Sequence, residues 1–195
     1  MTQLRLTDDP TREFINKKTI IVGEINTGKT ACLNRILEKL LAQGETDVSI
    51  IDMAPETIGD IGGKMSLGKL TFIRYLTAKI VAPRLTGGSQ EEVEALAKKN
   101  ALSIDHILQQ YLASPSKILF INDVSIYLQA GDLDSLLSLL KSTSTVVMNG
   151  YFGYGLGGGK LGERERRKMK ALQEKCDRVI NLKAVSCPSI HSQTD

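Results

Sequence analysis

Residues 23–30, GEINTGKT, match the spacing G-x-x-x-x-G-K-[ST], in which every fixed position suits a chain of phosphates. Gly23 and Gly28 permit backbone angles that other residues adopt only at a cost, so the loop is able to turn its N–H groups inward around an anion. Lys29 would supply a positive charge to β- and γ-phosphates, and Thr30 a hydroxyl to Mg²⁺. The pattern predicts a nucleotide-binding loop formed by Gly23, Glu24, Ile25, Asn26, Thr27, Gly28, Lys29, Thr30 and Ala31.

The residues on either side of this loop have the order that such a loop requires. Residues 19–22 form a short β-branched apolar run, as in a buried parallel strand. Apolar residues then recur at helical spacing from Ala31 to Leu41, and Gly44 ends the pattern. The N-terminal end of this predicted helix would direct its positive dipole toward the phosphates.

The rest of the chain alternates predicted strands and helices. Strands are predicted at 48–52, 117–121, 145–148 and 178–182, and helices at 89–100, 103–112, 131–140 and 163–175. Residues 70–76 fit either a strand or a helix. We therefore expect one α/β domain over residues 1–195: a three-layer, doubly wound, mainly parallel sheet with helices on both faces.

Two acids follow predicted strands and are candidates for the chemistry of the site. Asp123 comes after four apolar residues and Asn122, and we expect it to hold Mg²⁺ directly or through water. The alternatives are that Asn122 reaches the metal, or that both residues only form a turn. Asp52 ends the strand after the first helix and would position the attacking water or an acceptor, or else form a turn before Pro55.

With these features the chain resembles the P-loop NTPase superfamily over most of its length. The Walker A pattern lies at 23–30, a Walker B-like strand at 118–123, and strands and helices alternate as in that fold. The resemblance implies ATP or GTP and Mg²⁺ as ligands. The acid at Asp52 also looks like the division that contains signal-recognition GTPases, partition ATPases and polynucleotide kinases, where such an acid serves the metal or the attacking water.

Two departures from the relatives narrow the resemblance. Partition-type ATPases carry a lysine right after the first loop glycine, where this chain has Glu24, so a site completed by that lysine across a dimer is not expected. GTPases usually read guanine with Asn-Lys-x-Asp after a late strand, and residues 149–152 read NGYF. ATP is therefore favoured over GTP.

Two glycine-rich segments remain after these assignments. Residues 53–88 form a long segment with Lys64, Lys69, Arg74 and Arg84, predicted either to bind a phosphate acceptor or protein partner or to be a solvated insertion. Residues 153–162 are predicted to be a lid rather than a second nucleotide loop, because they do not fit the context of strand followed by helix. Cations that would swing from the lid toward a γ-phosphate are Lys160, Arg164, Arg166 and Arg167, unless the helix that bears them only faces solvent.

Composition limits the functions and locations that are expected for this chain. A net charge of +3 does not indicate nucleic-acid binding, and no apolar run has the length of a membrane span. The polar N-terminus does not resemble a signal peptide, and Cys32, Cys176 and Cys187 have no metal-ligand spacing. A cytoplasmic protein is expected, and its oligomeric state is not predicted.

The resulting hypothesis is a Mg²⁺-dependent NTPase that hydrolyses ATP in preference to GTP. Its catalytic residues would be Lys29, Asp52 and Asp123, and its metal ligands Thr30 and Asp123. The first alternative is a kinase that transfers the γ-phosphate to a small molecule or polynucleotide held by residues 53–88. The second is a nucleotide-dependent switch with little turnover, whose mobile loops bind a protein.

Overall fold

Six parallel strands form one sheet. Residues 23–30, which are predicted to bind phosphate and are named the phosphate-binding loop, lie at the carboxyl edge of this sheet. The computed structural model describes residues 13–57, 59, 63–66, 68, 73–157 and 159–183. The strands are β1 (Lys18–Gly23), β2 (Val48–Asp52), β3 (Arg74–Thr77), β4 (Ile118–Asn122), β5 (Thr145–Tyr151) and β6 (Arg178–Leu182). They lie in the order β3-β2-β4-β5-β1-β6. Because every pair is parallel, all six carboxyl ends meet at the same edge of the sheet.

Helices cover both faces of this sheet. They are α1 (Lys29–Ala42), α2 (Pro83–Thr86), α3 (Gln90–Leu112), α4 (Val124–Leu128), α5 (Leu133–Lys141) and α6 (Gly159–Gln173). Side chains alternate between the faces along each strand, and two separate apolar clusters result. On β1, Ile21 belongs to the cluster that contains α1, whereas Ile20 and Val22 belong to the cluster that contains α3 to α6. This arrangement confirms the predicted three-layer α/β fold.

Helix α3 is one continuous helix, where the sequence predicted two. It begins where the first of these helices was predicted, after Ser89, whose hydroxyl accepts a hydrogen bond from the Glu92 N–H at 3.2 Å. The predicted break after Asn100 is wrong because tertiary contacts satisfy that residue. Its side chain is buried and bonds to both backbone polar groups of Val81, at 3.2 and 2.9 Å. Ser103 therefore lies inside the helix rather than at a second cap.

The second glycine-rich loop also differs from its prediction. Strand β5 continues through Tyr151, three residues beyond the predicted end, and α6 begins at Gly159 rather than near Glu163. The loop thus connects a strand to a helix, and the prediction that it does not fit this context is wrong. Within 70–76, the stretch from Arg74 is strand β3, while 70–72 lie outside the described residues.

Two further predictions are tested only in part. No helix in the described ranges is both long enough and apolar enough to cross a membrane. Cys32 and Cys176 are free thiols, and burial raises the pKa of Cys176 to about 12. Cys187 and Lys69 lie outside the described residues.

Candidate functional site

The phosphate-binding loop connects β1 to α1, and both of its glycines have a structural reason. Gly28 precedes α1 with φ of 81°, a conformation that other residues adopt only with strain, and open space surrounds its Cα. At Gly23 the reason is space, because a Cβ there would collide with the carbonyl oxygen of Leu182 on β6. The Lys29 ammonium donates to the Glu24 carbonyl oxygen and lies 3.3 Å from the Thr27 hydroxyl. The loop is therefore already closed around its lysine.

Lys29 sits in an environment that favours an added anion. Burial lowers its pKa, while the charges of Asp123 and Glu24 act in the opposite direction. A half-buried ammonium that has lost part of its hydration gains stability from any further negative charge brought next to it. A phosphate group would supply that charge.

Thr30, the last residue of the motif, bonds to the end of strand β4. Its hydroxyl donates to the Asn122 side-chain oxygen across 3.2 Å. Because the hydroxyl proton points toward Asn122, the lone pairs on the threonine oxygen remain available to a cation. This is the orientation that a metal-binding hydroxyl requires.

Asn122 itself is fully engaged by its neighbours, and sequence reasoning did not foresee this role. Its oxygen also accepts from the Asn149 amide at 3.0 Å, and its nitrogen donates to Asp52 at 2.9 Å and to the Gly63 carbonyl at 3.2 Å. The Gly63 carbonyl oxygen accepts only, which fixes the orientation of the amide. The hydrogen bonds of Asn122 hold β2, β4, β5 and α1 together beneath the site, and its side chain is buried away from the cavity described below.

Asp123 follows in a conformation unusual for a residue with a side chain. Its φ and ψ are 56° and 55°, in the left-handed region that aspartate tolerates better than most residues. Its N–H donates to Asn149 at 2.7 Å, and its carboxylate accepts from the Ser125 hydroxyl at 2.6 Å. Burial raises the pKa of this carboxyl group, whereas Ser125 and Lys29 lower it. Strained backbone around a partly satisfied acid is typical of functional sites.

A cavity of about 420 Å³ lies in front of these residues. Residues 25–31 of the loop line it together with Asp123, residues 82–85 and Tyr151. The structure thus brings Lys29, Thr30 and Asp123 to one cavity at the carboxyl edge of the sheet. Of the predicted nucleotide-binding residues, Gly23 and Glu24 do not line it.

Asp52 has a different position from Asp123. It is fully buried, and each carboxylate oxygen accepts two hydrogen bonds. The donors are the Ala54 N–H and the Asn122 amide to one oxygen, and the Met65 N–H and the Tyr75 hydroxyl to the other, at distances of 2.6 to 3.0 Å. The group therefore has no lone pair left for water or metal, and it does not line the cavity. Its predicted catalytic role stays a prediction, and these bonds favour a structural one.

Glu24 joins the phosphate-binding loop to the second glycine-rich loop. Its carboxylate accepts from the Tyr154 N–H at 2.6 Å and from the Gly155 N–H at 3.3 Å. These bonds hold its pKa below the ordinary value, the Tyr154 contact contributing most. A Cβ at Gly153 would collide with this carboxylate, which explains a glycine there. Glu24, at the position of the partition-type lysine, thus connects the second glycine-rich loop to the loop that follows β1.

The predicted lid cations are engaged elsewhere or exposed. Arg164 donates to the Gln129 carbonyl and pairs with Glu94 at 2.8 Å, and Arg166 stacks on the Tyr154 ring at 4.6 Å. Lys160 and Arg167 are exposed. The arginine that does line the cavity is Arg84, from the segment 53–88. No signal in the sequence separated it from the other cations of that segment.

Comparisons with known proteins support the fold and go no further. No family model matches the chain, and no curated protein matches it. Among solved structures, the flagellar accessory protein FlaH from Methanocaldococcus jannaschii aligns with a TM-score of 0.52 and 10% identity, over 91% of this chain and 78% of that one. The Pif1 helicase from Candida albicans aligns with a TM-score of 0.39 and 16% identity, over 87% of this chain and 36% of the helicase.

The likeness to FlaH, the all-parallel sheet and the loop between β1 and α1 agree with one another. At 10% identity the alignment speaks for the arrangement of the elements and not for a substrate. This chain has the α/β fold of the P-loop NTPases.

Proposed function

We propose that this protein binds a nucleoside triphosphate with Mg²⁺ and hydrolyses it, preferring ATP to GTP. One observation carries the proposal: a closed phosphate-binding loop, the Thr30 hydroxyl and the Asp123 carboxylate line the same cavity. Each supplies a part that phosphoryl transfer needs, and together they cover charge neutralisation and metal binding.

The roles follow from the chemistry of each group. Lys29 and the loop N–H groups would neutralise the β- and γ-phosphates, so that less charge repels an incoming water. Thr30 and Asp123 would hold Mg²⁺ with oxygen atoms, the ligands that this ion prefers. The described residues contain no cluster of three or more His, Cys, Asp or Glu fit to hold a metal. That fits Mg²⁺, which usually takes one or two protein ligands and completes its shell with phosphates and water. When bound, the ion would neutralise charge that develops on the phosphate oxygens.

The proposed preference for ATP is based on the hydrogen bonds and secondary structure of residues 149–152. GTPases use this position for guanine, but here the Asn149 side chain bonds to Asn122 and to the Asp123 N–H. Gly150 and Tyr151 belong to strand β5. The side chain best suited to reading a base is therefore already used inside the protein.

Phosphate release from ATP, measured without any added acceptor, tests the proposal. We expect release that requires Mg²⁺ and stops with EDTA, and we expect unlabelled ATP to displace a fluorescent ATP analogue better than GTP does. Transfer of label only when an acceptor is added would replace hydrolysis by kinase activity. Tight binding without turnover, together with nucleotide-dependent protease sensitivity at residues 53–88, would instead indicate a switch.

A further inference from the structure

Arg84 lines the same cavity as Lys29 and is therefore a candidate for a second cation that contacts a bound nucleotide. It belongs to the short helix α2, whose residues Pro83, Arg84 and Leu85 line the cavity with the phosphate-binding loop. Lys29 and Arg84 are the basic side chains, and Asp123 the acidic one, among the described residues that line it. The formal charge of this lining is therefore positive, as a site for a polyanion requires.

The contacts of Arg84 hold its guanidinium in place but leave it partly unsatisfied. One terminal nitrogen pairs with the Glu165 carboxylate on α6, and the guanidinium carbon lies 5.5 Å from the centre of the Tyr151 ring. The side chain is only 12% exposed. The other terminal nitrogen, Nη1, is buried without a hydrogen-bond acceptor in the described ranges. Buried polar groups usually have partners, so this guanidinium keeps donor capacity that the described residues do not use.

Glu165 is the buried acid that pairs with Arg84. Its side chain is 1% exposed, and one oxygen, Oε1, has no hydrogen-bond partner among the described residues. An unpaired carboxylate at such a site would be costly, so Glu165 and Arg84 depend on each other. Glu165 does not line the cavity, and it forms an ion pair with Arg84, which does.

We infer that Arg84 contacts the terminal phosphate of the bound nucleotide from the same chain, and that Glu165 is the positioning residue that holds it there. The inference rests on the proposed function. It replaces the predicted cations Lys160, Arg164, Arg166 and Arg167 with an arginine that already lines the site. A guanidinium there stabilises the charge that spreads over the γ-phosphate oxygens during transfer.

The test compares variants at two arginines of the same segment. Arg84→Met combined with Glu165→Gln removes both buried charges at once, so that neither is left unpaired. Arg74→Gln is the matched control, because Arg74 donates at 2.6 Å to the Gln110 and Ser114 carbonyls and does not line the cavity. Turnover of ATP and the affinities for ADP and a non-hydrolysable ATP analogue are measured for each, and thermal unfolding checks the fold.

We expect the double variant to lower the turnover of ATP by about 10³-fold, in the range known for arginines that act on a γ-phosphate. Affinity for the ATP analogue should fall about tenfold, while affinity for ADP stays within about twofold, because ADP lacks the γ-phosphate that Arg84 would contact. Arg84→Lys should recover part of the turnover, since it keeps the charge without the planar fork. Arg74→Gln should change neither affinity.

Three results would overturn the inference. Equal losses for ADP and the ATP analogue would make Arg84 a structural residue. Unchanged turnover in a folded double variant would remove it from the site, while the proposed function would survive in the unaltered protein. If the unaltered protein bound no nucleotide, the proposed function and this inference would both fail.

Discussion

Asp52 ends strand β2, and Asp123 follows the neighbouring strand β4 of the same parallel sheet. The two carboxylates differ in their burial, their backbone conformation and their hydrogen bonds. Asp52 is fully buried and accepts four hydrogen bonds. Asp123 lines the cavity, sits in a left-handed backbone conformation and accepts from Ser125. A carboxylate with all its lone pairs occupied holds structure together, whereas one with free lone pairs beside Lys29 is available to a ligand.

Asn122 separates the two acids and bonds to the first. It donates to Asp52 and accepts from Thr30, so the buried network ends at the hydroxyl of the phosphate-binding loop. We therefore assign stability to the end of β2 and propose ligand binding for Asp123, which follows β4. Substitutions at these positions should therefore separate the two properties.

The largest effect is expected at Asp123. Asp123→Asn keeps the size of the side chain but removes its charge, and we expect ATP turnover to fall by about 10² to 10³-fold, as for other groups that stabilise a transition state. The free energy of unfolding should stay level or rise slightly, because a buried charge disappears. Steady-state phosphate release and urea unfolding measure the two quantities. A variant that lost stability but kept turnover would reverse the assignment.

At Asp52 the opposite pattern is expected. Asp52→Asn turns an acceptor of four bonds into a group that also donates, so at least one of its four donors loses its partner. We expect the free energy of unfolding to fall by about 2–4 kcal/mol. Turnover per folded molecule should change by less than about fivefold, because Asp52 does not line the cavity. A hundredfold loss of turnover in a folded variant would restore the catalytic role predicted from the sequence.

Glu165 provides a third buried acid, whose effect depends on pH. Its pKa is raised from 4.5 to about 7, chiefly by burial and also by the charge of Asp123, although Arg84 and Gln129 act to lower it. As pH rises from about 4.5 to 7, the unfolded chain releases this proton before the folded protein does, so stability falls. The difference between these pKa values corresponds to at most about 3 kcal/mol. Subtracting the unfolding curve of Glu165→Gln should isolate this decline, and a difference that stayed flat with pH would contradict it.

The smallest effect is expected at Asn122, which bonds both to Asp52 and to Thr30. Asn122→Ala removes the acceptor that orients the Thr30 hydroxyl, and we expect the Mg²⁺ concentration for half-maximal turnover to rise about tenfold. Turnover at saturating Mg²⁺ should change less. A Mg²⁺ titration of ATP hydrolysis measures this directly, with Asp52→Asn as the control for loss of stability alone. Identical titrations for Asn122→Ala and the unaltered protein would show that Thr30 needs no such partner.

The sequence predicted the layers and the loop because both depend on local patterns. Apolar runs, cap residues and the spacing of Gly23, Gly28 and Lys29 are visible along the chain. The break expected at Asn100 failed because a long-range bond to Val81 satisfied a residue that usually ends a helix. Similarly, the sequence ranked Asp52 and Asp123 by position, and only the fold reveals how many donors surround each.

The position of Arg84 at the cavity could not be predicted from the sequence either. Its neighbours in the chain do not distinguish it from Arg74, and both are cations of one glycine-rich segment. The two arginines differ in partners that are distant in sequence. Arg84 pairs with Glu165, which is 81 residues away, whereas Arg74 donates to the backbone carbonyls of residues 110 and 114. Such pairings depend on how α2 and α6 pack, which periodicity and motif spacing do not encode.

Calorimetric titration of Mg·ATP into the unaltered protein and into Lys29→Ala shows whether the cavity binds a nucleotide through this lysine. We expect one ATP bound per chain, with affinity reduced at least about 100-fold in the variant, because Lys29 is the one cation within residues 23–30. Thermal unfolding of the variant should show an intact fold. Binding of ATP with equal affinity by both proteins would mean that the cavity at residues 25–31 is not a nucleotide site.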